Sequence, residues 1–519
     1  MSELKKRNFH EAQWDESIIY EQSVPGSRGV LVPDVSGEAA KVTGDVSALM
    51  PASLKRRQKP DLPELAQPQV LRHFLRLSQE TIGQDLNVDI GLGTCTMKYS
   101  PKINEQFVRS HKFTEMHPYQ DDETSQGVLK LIYDFEQIMK EISGLDAVSF
   151  QPGGGGQGIY ANAAVLKQYF RDRGEENQRT QIITTILSHP IDSAAPATKG
   201  FEVISLYPEA NGYPSIEALK AAVSEKTAGI FITNPEDTGV FNPIIREFVD
   251  VVHEAGGLCV CDMADYNGLF GIVRAKELGA DLCHFNLHKA FSSPHGCMGP
   301  GCAAQCVSAE LEKYLPRPRV RFDGKKYYTD YDGEYSIGKV RQFHGSLAAV
   351  LRAYAWIMSL GKDGLKTVAE TAILNNNYMM KRMLTEVKGV SMSWAEEAPH
   401  RLEQVRYSFE KLYKDTGVSA EDVNRHLLDF GFQRFFASHH PLIVPEPFTP
   451  EPTESYSKAD IDEYVDALVQ ISNEAYTTPE VVLNAPYAGP ISKLENDHIK
   501  DWRELCVTWR AYKKQNGLA

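Results

Sequence analysis

Two residues carry the clearest chemical signal. Asp262 ends the apolar run GGLCVCDMADYNG, and Lys289 follows 27 residues later at the end of CHFNLH. An open parallel sheet binds ligands beyond the carboxyl ends of its strands, so residues just past such runs are the ones to weigh. A carboxylate held there can hydrogen-bond and charge-stabilise a protonated pyridine nitrogen. A lysine at the next strand end can form a Schiff base with an aldehyde. Asp262 could instead cap a helix or bind Mg²⁺, and Lys289 could be a surface lysine, although surface lysines seldom follow a run like CHFNLH. A third strand end reads FQPGGGGQGIYANAAVLKQYF, with four glycines from Gly153 to Gly156 and a helix beginning near Gln157. Inward-turned backbone N–H groups and a helix N-terminus make an anion cradle. A flexible turn is the plain alternative, since the segment matches neither standard nucleotide-binding glycine pattern. Cradle, Asp and Lys together are the parts of a pyridoxal phosphate site, with Gly154, Gly155, Gly156, Gln157 and His288 as its neighbours. His189, in LSHPIDSAAP, could stack on the ring or be a loop histidine. Asn234, in ITNPEDTG, could reach the phenolic oxygen or simply precede Pro235 in a turn.

These residues need a scaffold, and the hydrophobic pattern supplies one. AVSF, QIITTILS, FEVISLYP, AGIFITNP, GGLCVCDMA and DLCHFNLH have strand length, and helix patterns such as SIEALKAAVSEKT and IIREFVDVVHEAGG separate several of them. Alternating strands and helices predict βαβ units, hence a mostly parallel sheet with helices on both faces. Before them, SQGVLKLIYDFEQIMKEISG carries a helical stripe at Leu129, Ile132, Phe135, Ile138, Met139 and Ile142, closed by Gly144. Residues 1–85 read as a proline-interrupted N-terminal arm with two short helical stretches. Residues 86–345 read as a large α/β domain, and residues 346–519 as a smaller α+β domain with helices SLAAVLRAYAWIMSLG and KADIDEYVDALVQISNEAY.

Composition narrows the classes. The chain has 519 residues, 42% hydrophobic and 24% charged, with a formal charge of -14, which fits a globular protein with a small-molecule ligand rather than a nucleic-acid binder. No apolar run approaches the roughly 18 residues of a membrane helix. The opening segment has no apolar core of a secretory signal, so a cytoplasmic location is expected. The eight cysteines are expected as reduced thiols. The C-x-C at Cys259 and Cys261 lies in a strand pattern, whose side chains, expected to point to opposite faces, would not share a metal.

Further motifs make the chain recognisable. It resembles the P-protein (glycine decarboxylase) family of the glycine cleavage system, in the form of its second, cofactor-carrying subunit. The matching segments are PGSRGV at Pro25–Val30, LGTCTMKYSPKINE at Leu92–Glu105, HPYQ at His117–Gln120, NLHKAFSSPHG at Asn286–Gly296, EYSIGKVRQFHG at Glu334–Gly345, PLIVPE at Pro441–Glu446 and EPTESYSK at Glu451–Lys458. The resemblance implies a fold-type I pyridoxal phosphate enzyme with the cofactor on Lys289, Asp262 under the pyridine nitrogen and His189 stacked on the ring. It implies a substrate pocket partly built around Thr94, Cys95, Lys98 and His117. The implied reaction decarboxylates glycine and passes the aminomethyl group to a lipoylated carrier protein. The implied assembly includes a subunit 1-like partner, giving a homodimer or heterotetramer.

Four site segments depart from the family pattern: QPGGGGQGIY for QPAAGAHGE, SHPIDSAAP for SAHGTNPAS, DMADYN for DGANLN and PHGCMGPG for PHGGGGPG. These departures keep a second reading open, a stand-alone decarboxylase, lyase or aminotransferase on another amino acid, with Arg341 or Arg434 as carboxylate clamp. A third reading, a non-catalytic subunit, conflicts with the presence of both Lys289 and Asp262. The stretch FQRFFASHHP could bring His439 and His440 into the pocket or leave them in an exposed loop.

Overall fold

The computed structural model describes residues 14–81, 87–95, 98–294, 301–439, 443–489, 493 and 508–518. Period-2 apolar runs form a seven-stranded sheet: β1 Ala147–Ser149, β2 Gln181–Thr185, β3 Glu202–Leu206, β4 Thr227–Thr233, β5 Leu258–Met263, β6 Leu282–Asn286 and β7 Ala303–Val307, in the order β1-β7-β6-β5-β4-β2-β3. The pairings among β2 to β6 are parallel, and β7 runs antiparallel to both β1 and β6. The mostly parallel sheet is as expected, whereas β7 is a strand that the sequence pattern did not mark. Its residues AAQCV are small and interrupted by Gln305, so neither period stands out.

Alternation along the strands divides the side chains between two apolar layers. Ile183, Ile230, Cys259, Cys261 and Cys283 pack with helices Gln126–Ser143 and Ile245–Glu254, whereas Ile182, Phe231, Val260 and Leu282 pack under helix Gly155–Asp172. Helix Gln126–Ser143 ends as its stripe predicts, with Gly144 left-handed at φ 73°. One sequence expectation is corrected here. Cys259 and Cys261 do not point to opposite faces, because residues two apart on a strand share a face, and both thiols lie fully buried in the same apolar layer.

Beyond the sheet, helix Leu347–Glu386 is broken at Gly361. It joins helix Lys458–Thr477 and a three-stranded sheet of two-residue strands (Ser391–Met392, Tyr407–Ser408, Pro447–Phe448) around a second core that includes Met379, Tyr407, Phe448 and Leu468. The chain divides into two compact units, one built on Gln84–Asn484 and the other on Lys6–Gly83 with Ala485–Ala519. The second unit has helices Gly37–Thr43 and Gln67–Gln79. Its extended segments are tied by Val24–Glu64 backbone pairing (2.9 Å) and by Glu16, which accepts from His73 (2.7 Å) and Arg76 (2.9 Å). Among the described residues, no helix is long and apolar enough to cross a membrane.

Candidate functional site

The strand register aligns a polar row across the sheet. Thr233 of β4 lies opposite Asp262 of β5, Asp262 opposite His284 of β6, His284 opposite Gln305 of β7, and Gln305 opposite Ser149 of β1. In a sheet, residues in register share a face, so this row lies on the side of helix Gly155–Asp172, buried from Asp262 to Ser149 and partly exposed at Thr233. The helix accommodates it with two residues one turn apart. Asn162 Oδ1 accepts from Gln305 Nε2 at 2.9 Å, and Gly158 leaves room for His284, whose ring atoms would lie 2.7–2.8 Å from any Cβ there. His284 Nε2 approaches Asp262 Oδ1 at 3.3 Å, both side chains being nearly inaccessible to solvent. Burial pushes His284 below its ordinary value, favouring the neutral imidazole. On the other side, Asp192 accepts from Thr233 Oγ1 at 3.2 Å. Burial and the nearby Asp262 charge push Asp192 well above the usual carboxylate range, so Asp262 lies between a carboxyl and an imidazole that are both held towards their neutral forms.

A cleft of about 390 Å³ opens at the end of this row. Asp262, Lys289, His189, the glycines Gly153 to Gly156, Asn286, His288, Cys95 and His439 all line it. Gly154 caps helix Gly155–Asp172 with φ 152°, a conformation L side chains rarely adopt. A Cβ on Gly155 would press to 3.0 Å from Asn286 Nδ2, and Asn286 Oδ1 is buried without a hydrogen-bond partner. This glycine-lined hollow at a helix N-terminus, with a buried amide beside it, fits the phosphate end of a pyridoxal cofactor. Asp262, 5% exposed and fixed by the Ala264 N–H at 2.8 Å, fits the pyridine nitrogen. Lys289, half-buried at the end of β6, fits the aldehyde.

His189 accepts the Ile191 N–H at Nδ1, 3.0 Å away. Burial and the neighbouring His439 push it down to about 4, so its ring is neutral. Burial also raises the Cys95 thiol. Gln157 closes the glycine turn by accepting the Gly153 N–H at 2.7 Å. His288 Nδ1 packs against Cys302 O at 3.2 Å. Arg341 rests over Gly153, its Nη1 3.4 Å from Gly301 O.

Other sequence candidates lie elsewhere. Asn234 is folded back on its own turn, exchanging hydrogen bonds with the Asn242 backbone at 2.8 and 3.2 Å. Lys98 is buried against Trp356 and bonded to Glu454 (2.9 Å), Asn267 (3.1 Å) and Ala290 O (2.8 Å), tying its segment to the turn after Lys289. His117 lines a separate cavity of about 200 Å³, with Phe113, Met116, Phe343 and His344. Arg434 is exposed and paired with Glu421. The side chain of Thr94, the residues Thr96 and Met97, the run His295–Pro300, and His440 to Leu442 lie outside the described residues.

The sequence reading did not mark His284, Asp192 or Asp237. Their signal was weak but present: each is a polar residue inside or beside an apolar run, and only strand register shows what it faces.

Comparison with known proteins identifies the family. The model of the family "Glycine cleavage system P-protein" matches residues 41–321, and that of "Glycine dehydrogenase, C-terminal domain" matches residues 368–485. The chain is 41% identical over 508 residues to the probable glycine dehydrogenase (decarboxylating) subunit 2 of Pyrococcus furiosus, covering 98% of each chain. It is 37% identical to the protein of the same description from Halalkalibacterium halodurans, over 93% of this chain and 96% of that one. A crystal structure of glycine decarboxylase (P-protein) of the glycine cleavage system, in inhibitor-bound form, superposes with a TM-score of 0.70 at 19% identity, covering 85% of this chain and 100% of that one. The fold is that of fold-type I pyridoxal phosphate enzymes, with an additional C-terminal α+β region.

Proposed function

The chain belongs to the glycine cleavage system P-protein family, and on that premise we propose that it decarboxylates glycine with pyridoxal 5′-phosphate and passes the aminomethyl group to a lipoylated carrier protein. What carries the reading is the convergence of Lys289, Asp262 and the glycine cradle on one cleft. When bound, pyridoxal phosphate supplies the electron sink for the pair left behind as CO₂ departs. The residues do the rest. The N–H groups of the glycine turn and the first turn of helix Gly155–Asp172 hold the phosphate. Lys289 would hold the cofactor through its amine. Asp262, between Asp192 and His284, would hold a proton on the pyridine nitrogen, which deepens the sink. Neutral His189 covers the ring without adding positive charge. Arg341, which rests over Gly153 at the cleft edge, suits a substrate carboxylate.

The relatives' description as subunit 2 supports a partner of the subunit 1 kind. Assembly as a homodimer or a heterotetramer and a cytoplasmic location complete the proposal.

The test is a near-visible absorbance spectrum of the purified protein, before and after a panel of amino acids led by glycine. A cofactor band that glycine perturbs, and that Lys289→Ala abolishes, supports the reading. A band perturbed only by another amino acid replaces glycine as substrate, and no band after adding pyridoxal phosphate overturns the enzyme reading.

A further inference from the structure

The lining of the cleft includes one member of a second carboxylate–imidazole pair. His439, from the loop after Phe435, lines the cleft, and its Nδ1 lies 2.8 Å from Asp237 Oδ2. Asp237 follows β4 and is 5% exposed. The same Oδ2 lies 3.4 Å from Arg406 Nη2, and the fully buried Arg406 is itself held by Thr449 and Ser438. Thus three separate segments fix the carboxylate, and the carboxylate fixes the ring.

Among the described residues, His439 is faced by groups from several segments. His189 lies with its ring centroid 4.2 Å away, and Phe436 of the same loop at 4.7 Å. Asp262 and Lys289 line the same cleft, and Arg406 acts through Asp237. Burial pushes the Asp237 carboxyl up, but the His439 hydrogen bond and the Arg406 charge outweigh it and hold Asp237 down to about 2. The two adjacent imidazoles are therefore differentiated. His189 accepts an amide N–H and stays neutral, while His439 has an anion behind it to stabilise an imidazolium.

We propose that His439, oriented by Asp237, is the general base that takes the proton from the ammonium group of the incoming amino acid. The substrate amine must be neutral to displace Lys289. One N–H bond of the ammonium breaks, its electron pair stays on nitrogen, and the proton passes to His439 Nε2. Asp237 keeps Nδ1–H as the donor and balances the resulting imidazolium, as in a carboxylate–histidine pair of hydrolytic enzymes. The proton then returns to water. This deepens the decarboxylase reading and rests on it for the identity of the substrate.

The test uses the holoenzyme and two readouts. The first is the rate at which amino acid changes the cofactor band on rapid mixing, followed against pH. In the wild type this rate should fall towards low pH, as a step that needs a protein base requires. His439→Gln is expected to slow it about a hundred-fold or more and to remove the His439 limb of the profile, and imidazole added to His439→Gly should restore part of the rate. The second readout is the nitrogen and proton NMR signal of the His439 ring. It should show a strongly hydrogen-bonded Nδ1–H that disappears in Asp237→Asn. An unchanged rate and profile in His439→Gln, or no such Nδ1–H signal in the wild type, overturns the proposal. If the wild type responds to another amino acid and not to glycine, the substrate reading fails while the same profile still decides the base. If no amino acid changes the band, both readings fall.

Discussion

The two sides of the cleft rest on different kinds of order. Asp262 is held in a row with Thr233 and His284 by the register of three strands, whereas His439 is held by Asp237, Arg406 and Thr449, which belong to segments far apart in the chain. The sheet side is positioned by backbone hydrogen bonds that any sequence of the right period forms. The loop side is positioned by individual side chains, so a single substitution can move it. The difference teaches where variation is cheap: electron-sink chemistry sits on the rigid side, and proton handling sits on the adjustable one.

The comparison can be broken most forcefully at Asp262. Asp262→Asn removes the carboxylate of the polar row, and glycine-dependent CO₂ exchange should fall about a hundred-fold or more, the scale of removing one positioned electrostatic partner. A drop smaller than that caused by His439→Gln would reverse the ranking of the two sides.

Gly158→Ala tests the rigidity of the sheet side. The new methyl would meet the His284 ring at 2.7–2.8 Å, with no solvent for the ring to move into. The expected cost is about 1–3 kcal/mol, read as a lowered midpoint of thermal unfolding, together with an altered cofactor spectrum as Asp262 shifts.

The loop side carries a pH signature of its own. Glu236, next to Asp237, is pushed up to about 8 from its ordinary 4.5 by burial, despite the Thr185 hydroxyl it accepts from. Between those two values the folded state holds a proton that the unfolded state has released. Stability is therefore full below pH 4.5 and declines as pH rises towards 8. Glu236→Gln should flatten this decline, raising the unfolding midpoint at pH 8 and leaving it nearly unchanged at pH 4.5. An equal shift at both values would refute a protonated Glu236.

The smallest effect belongs to Arg434. Paired with Glu421 on the surface, it should tolerate Arg434→Ala within about 0.5 kcal/mol of stability and with unchanged KM. A raised KM for that variant, and not for Arg341→Ala, would return the carboxylate clamp to Arg434.

Much of this was legible in the sequence, for a physical reason. Strand and helix periods, the glycine run, Asp262 and Lys289 are local signals, and all were readable without coordinates. Long-range register was not. The pairing of His284 with Asp262 depends on how β5 and β6 align. The sequestration of Lys98 depends on Glu454 and Trp356, hundreds of residues away. His439 could be weighed as a pocket residue, but its carboxylate could not be identified, because Asp237 lies on a different strand end. Antiparallel β7 escaped notice because a short strand of small residues carries little periodic signal.

The most direct test of the account is exchange of labelled bicarbonate into the carboxyl group of glycine, with the partner subunit and lipoylated carrier present. The account predicts exchange that depends on the carrier and vanishes in Lys289→Ala. Absence of exchange with glycine in a protein whose cofactor band responds to a different amino acid would contradict it.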